Sequence, residues 1–125
     1  MAADDKHIAI TLHQAWSSVT QLQSDTLFMQ TDNLMKMAEA YNNRQSIILN
    51  GITYDFSNKT GRVEFCLTGH THVDKESVHY NIPVISTINA YNGKVITFDL
   101  MLVDYENRVI NCIRVGNGND RVISL

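Results

Sequence analysis

The sequence has no run of basic residues, no long apolar stretch and no paired-cysteine spacing, and each absence removes a class of protein. Its 10 Lys and Arg are scattered among 13 Asp and Glu, for a formal charge of -3. No stripe of positive charge exists to track a phosphate backbone, so nucleic acid is not expected as a partner. Cys66 and Cys112 stand apart inside apolar runs, without the C-x-x-C spacing of a zinc ribbon or redox dithiol, and read as buried thiols. No segment approaches the roughly 20 apolar residues of a membrane helix. Residues 1–6, MAADDK, lack the apolar core of a signal peptide. A cytoplasmic setting without membrane contact is the expectation, subject to any signal upstream of Met1. Internal repeats and low-complexity tracts are absent as well.

What is present is enough for one globular domain over residues 1–125: 44% hydrophobic and 18% charged residues, without the charge excess that marks disorder. Residues 8–12, IAITL, read as a buried strand that ends at His13. A Ser, Thr and Gln-rich connection follows at 17–24. Apolar residues then recur at Leu27, Phe28, Leu34, Met35, Ala38 and Tyr41 with helical spacing. Thr31 or Asp32 is a candidate cap for this helix, and Asn42-Asn43-Arg44 a candidate stop. From Ser46 the period shortens, and 47–49 and 52–56 flank Asn50-Gly51, the pattern of a tight hairpin. Further strands are expected at 62–68, 78–80, 83–88, 95–104 and 108–115, parted by turn residues such as those at 58–61 and 91–93. The pattern predicts an α+β chain, one or two helices followed by an antiparallel meander.

The sharpest local feature is Gly69-His70-Thr71-His72 at the end of an apolar run, followed by Val73-Asp74. A glycine there allows a hard turn or a close backbone approach, and two imidazoles one residue apart can serve neighbouring positions of a metal cluster. His13, ending its own strand, is a third candidate. Five histidines in 125 residues yield an H-x-H by chance in roughly one sequence in five, and the preceding glycine reduces that to roughly one in a hundred. A polar loop with satisfied histidines is the ordinary alternative.

Gly69-His70-Thr71-His72 resembles the G-H-x-H that closes the active site of calcineurin-like metallophosphoesterases. Residues 8–13 are similar to that family's earlier strand with a lone metal-binding histidine. Val73-Asp74, the segment 82–86 and the late segment 114–121 resemble its bacterial and phage-encoded branch, so the likeness spans nearly the whole chain. It implies the C-terminal part of a larger metallophosphoesterase β-sandwich, mostly antiparallel with one or two helices. It further implies two divalent ions, Mn, Zn or Fe, bridged by an aspartate and a water or hydroxide, that promote in-line attack on a phosphate ester. His13 and His70 would ligate one ion and His72 the other.

The carboxylate half of the family pattern is missing: no credible D-x-H, G-D-x-x-D or G-N-H occurs. Asp5-Lys6-His7 precedes a strand instead of following one, and Gly118-Asn119-Asp120 falls on the wrong side of the G-H-x-H. Without a bridging carboxylate two cations repel, so this chain is expected to need an N-terminal half for activity, and no residue is assigned a catalytic role. The partners implied are a phosphate-ester substrate and that N-terminal half, or self-association through the sheet surface it would cover. A rival reading is a non-catalytic, β-rich, phage-associated structural or assembly module with a degraded metal site. A domain holding a single zinc ion on three imidazoles is a third.

Other residues have ordinary readings beside functional ones. His7 reads as solvated and His79 as a strand histidine. Asp74 either orients an imidazole or caps a turn. Arg114 and Arg121 are candidate phosphate contacts or structural arginines, Gly116-Asn117-Gly118 is a terminal turn, and Trp16 either lines a cleft or packs.

Overall fold

The computed structural model describes residues 6–13, 26–69, 72–88 and 95–125, and helix side chains from residue 32 onward. The expected connection at 17–24, Trp16, His70 and the turn at 91–93 lie outside the described residues. Among the described residues the chain is α+β, mostly strand with one helix: β1 (His7–Leu12), α1 (Thr26–Asn42), β2 (Ser46–Leu49), β3 (Ile52–Asp55), β4 (Arg62–Thr68), β5 (Lys75–His79), β6 (Ile82–Ser86), β7 (Phe98–Asp104), β8 (Val109–Val115) and β9 (Arg121–Ser124).

The strands form a four-stranded sheet in the order β1-β4-β6-β5, the hairpin β2-β3, and a three-stranded sheet β7-β8-β9. The expected antiparallel meander is realised only in part. β1 pairs with β4 and β4 with β6 in parallel, and the remaining ladders are antiparallel. The physical reason is visible in the burial. β4 and β6 are buried along most of their length on both faces, which is the condition of a central parallel strand, whereas β7 alternates.

Each face of the four-stranded sheet carries a separate core. On one side Met35, Ala38 and Tyr41 of α1 meet Val63, Cys66, Ile82 and Val84, with Phe56 of the hairpin packed alongside. On the other, Phe65 and Ile85 meet Ile110, Cys112 and Ile123 of the three-stranded sheet. Both cysteines are free and buried as expected, and burial pushes the Cys66 thiol up to about 11.

Local chemistry accounts for the joints. Asn50 and Gly51 take positive φ, 51° and 76°, so the β2-β3 turn has the twist a two-residue hairpin needs. α1 begins earlier than the caps considered: Asp32 lies inside it, its carboxylate accepting from Lys36 at 2.6 Å and from the Tyr80 hydroxyl at 2.8 Å. The helix ends on Arg44 at φ 59°, with Arg44 N donating to Tyr41 O and Gln45 N to Ala40 O, a Schellman closure with arginine where glycine is usual. The Arg44 guanidinium stays busy, donating to Tyr41 O at 2.6 Å and Thr60 O at 2.9 Å. Asn42 is a clasp more than a stop: its amide both donates to Val63 O and accepts from Val63 N, each at 2.8 Å.

Two further features were not foreseen. The β5-β6 hairpin turns on Tyr80 and Asn81, both at positive φ, and Arg121–Ser124, where no strand was expected, pairs with β8. The turn before it fits the expectation, with Gly116 and Gly118 at φ 96° and 108°.

Candidate metal centre

β1, β4 and β6 run in the same direction, so their carboxyl ends lie side by side, with Leu12 opposite Thr68 and Thr68 opposite Ser86. Ligand sites in sheets with parallel strands form at such ends. Immediately beyond them the Gly69 amide donates to the His13 carbonyl at 3.1 Å. The backbones of the two histidine-bearing strand ends are thereby joined. His13 is exposed, and His72 is exposed at φ 55° on the loop that follows Gly69.

Gly69 itself is not in the left-handed region, and a β-carbon added there would lie 3.5 Å from the His13 carbonyl oxygen, an ordinary contact. Among the described residues of this segment, positive φ falls on His72 and not on the glycine. Below the strand ends lies a cleft of about 310 Å³, lined in part by Thr11, Leu12, Thr68, Thr87, Phe98 and Asp99. The hydroxyl of Thr68, one of its lining residues, shares a hydrogen bond of 2.7 Å with the Ser86 hydroxyl. None of these lining residues stood out in the sequence, although Thr68 directly precedes the glycine.

The loop is fixed on its far side by ions. Arg114, with its side chain 2% exposed, donates to Asp99 at 2.5 Å and to Asp74 at 2.7 Å. Arg121 donates to the other oxygen of Asp99 at 2.7 Å. Asp74 also accepts the Ile88 amide at 3.0 Å. The Arg114 hydrogen bond chiefly holds the Asp74 carboxyl below its usual range, against the opposing effect of burial, and the two aspartates raise Arg114 further. Arg114 is thus a structural arginine braced between carboxylates, and Asp74 anchors the loop to β8 and to the segment after β6.

A second carboxylate is also committed. The β1-β4 ladder slips between Ile8 and Ala9, leaving Glu64 as the extra residue of a bulge. Its buried side chain accepts from His7 at 2.6 Å, Arg108 at 2.7 Å and Arg62 at 3.2 Å. Burial works to raise Glu64, but the Arg108 and His7 hydrogen bonds outweigh it and leave the carboxyl below its usual range. His7, expected to be solvated, is instead tied to Glu64 and stacked on Tyr105 at 3.9 Å. His79 is a half-buried strand residue, lowered chiefly by burial.

His13 and His72 stand near one strand-end edge, while Asp74 and Asp99 are engaged with arginines and supply no bridge between two ions. Among the described residues no group of three or more His, Cys, Asp or Glu is placed to hold a metal. His70 lies outside that set. Compared with protein-family models, curated proteins and solved structures, the chain matches none. No helix among the described residues is long and apolar enough to cross a membrane.

Proposed function

We propose that the chain is the C-terminal portion of a calcineurin-like metallophosphoesterase, its strands part of that family's β-sandwich, contributing His13, His70 and His72 as imidazole ligands. The observation that supports this most is the bond from Gly69 N to His13 O. It puts the two segments that resemble the family's histidine motifs on adjacent parallel strands, at the edge where such folds hold ligands. When bound, divalent ions supply Lewis acidity toward a phosphate mono- or diester. The chain's own part is to hold imidazole donors at the strand ends, with Asp74 and Arg114 bracing the loop that carries two of them. Carboxylates for a two-ion centre come, in this reading, from an N-terminal half bearing D-x-H, G-D-x-x-D and G-N-H.

The commitment of Asp74 and Asp99 to arginines favours one rival, a β-rich phage-associated module whose metal site has decayed. Bound Mn, Zn and Fe and hydrolysis of a chromogenic phosphodiester, measured for this chain and for the longest reading frame containing it, separate the two. The phosphoesterase reading expects metal and activity in the longer form, both reduced by His70→Ala and His72→Ala. Metal content and activity untouched by those substitutions would sink it.

A further inference from the structure

The three-stranded sheet carries apolar side chains on both faces: its inner face combines the Ile110, Cys112 and Ile123 core with a buried ion cluster at one end, and its outer face is hydrocarbon. Asp99 accepts from both Arg114 and Arg121, and the Asp99 and Arg114 side chains are 1% and 2% exposed. The other face presents Phe98, Leu100 and Leu102 from β7, Ile113 and Val115 from β8, and Val122 from β9, between 40% and 68% exposed. These residues are contiguous. Phe98 lies opposite Val115, Leu100 opposite Ile113, and Leu102 opposite Asn111, which in turn faces Val122. An antiparallel sheet with one solvated face normally turns polar residues outward.

We propose that this face is the contact between two copies of the chain, packed sheet against sheet about a two-fold axis. Three observations favour a second copy as the occupant. The central part of the face carries no charged side chain, so two identical faces can meet without like-charge repulsion, as an isologous contact requires. The six residues expose roughly 500 Å², near the upper limit of a typical monomer's largest apolar patch. With Ile96 adjoining, 66% exposed, and a polar rim, the face approaches the roughly 800 Å² per partner of a standard interface. The outline also matches, since seven-residue strands present a face about 24 Å long, and aligned sheets stack at about 10 Å with side chains interdigitated. This proposal does not rest on the phosphoesterase reading, in which an N-terminal half is the competing occupant of an exposed sheet face.

Sedimentation equilibrium of the chain over a range of concentrations tests it directly. A reversible monomer-dimer equilibrium is expected. Leu100→Lys combined with Ile113→Lys should weaken it at least tenfold while leaving the far-ultraviolet circular dichroism unchanged, because both side chains point away from the core. Ile48→Lys, at a 69% exposed position on the separate hairpin, should leave it intact. If the lysine pair does not fold, Leu100→Thr with Ile113→Thr makes the same comparison. A chain monomeric at every concentration, a dimer indifferent to the β7 and β8 changes, or one broken equally by Ile48→Lys overturns the proposal. So does a longer reading frame that is monomeric where this chain dimerises, since upstream polypeptide then covers the face. None of these readouts involves metal or phosphodiester hydrolysis, so the two readings fail separately.

Discussion

The Gly69 amide and the His13 carbonyl, 3.1 Å apart, continue the β1-β4 ladder one step past its last strand residues. The motif glycine therefore behaves as an extended strand residue, and the histidine three positions later carries the left-handed backbone. Gly69→Ala should cost less than about 1 kcal/mol, because the new methyl meets only an ordinary contact. His72→Gly should leave stability unchanged or raise it by up to about 1 kcal/mol while removing an imidazole. Urea unfolding of the two variants checks the inversion. A Gly69→Ala chain much less stable than His72→Gly would contradict it.

Asp99→Asn should be among the most damaging single changes in the three-stranded sheet. It weakens the partner of two guanidiniums, one almost wholly buried, and a loss of about 3 kcal/mol or more is expected from breaking such a pair on one side. Asp74→Asn should cost less, since its side chain is 31% exposed. Denaturant midpoints for both variants and for Arg114→Met, combined in a double-mutant cycle, measure the coupling.

Acid should weaken the fold through Glu64 and Asp74. Both carboxyls sit below their usual range when folded. Their contribution is therefore fully present above the unfolded values of about 4 and is lost as pH falls through the folded ones. The melting temperature should decline across that acid window. Glu64→Gln should be less stable at neutral pH and should show a shallower decline, and parallel curves for variant and parent would rule out Glu64 as a source.

Two glycines at similar φ should respond differently to alanine. At Gly51 nothing lies within 4 Å of an added β-carbon, so Gly51→Ala should cost only the left-handed penalty of about 1 kcal/mol. At Gly116 the methyl would run into the Ile96 carbonyl oxygen and come within 2.7 Å of Thr97 Oγ1, so Gly116→Ala should cost about 3 kcal/mol or more as the backbone shifts. Thermal unfolding of the pair shows whether the gap exists.

The parts legible in the sequence were those governed by neighbours along the chain. Asn50-Gly51 announced its hairpin because two successive residues must take positive φ and that pair tolerates it. The run ending at Thr68 announced β4 because Phe65, Cys66 and Leu67 are consecutive apolar residues, as a strand covered on both faces requires. The β5-β6 turn was hidden because Tyr80 is a poor left-handed residue, made tolerable by a hydrogen bond to Asp32 forty-eight positions away. Residues 95–104 carry apolar side chains at both parities, so alternation could not say which face is buried or that Asp99 points inward. Of the site, His13 and the G-H-x-H were visible as strand-end residues. The bracing of the loop by Asp74, Arg114, Asp99 and Arg121 was not, because ion pairing between distant strands leaves no local spacing to read.

The parallel pairing of β1 with β4 has a consequence for the order in which the chain acquires its structure. Ile8 meets Val63 across a long closed loop, whereas β7, β8 and β9 pair through short turns. Loop-closure entropy sets in before such a distant pairing is rewarded, so the local meander is expected to gain amide protection first and the β1-β4 seam last. Since His13 and Gly69 meet only when that seam closes, the histidine-bearing edge would be the final part to assemble and the first to open.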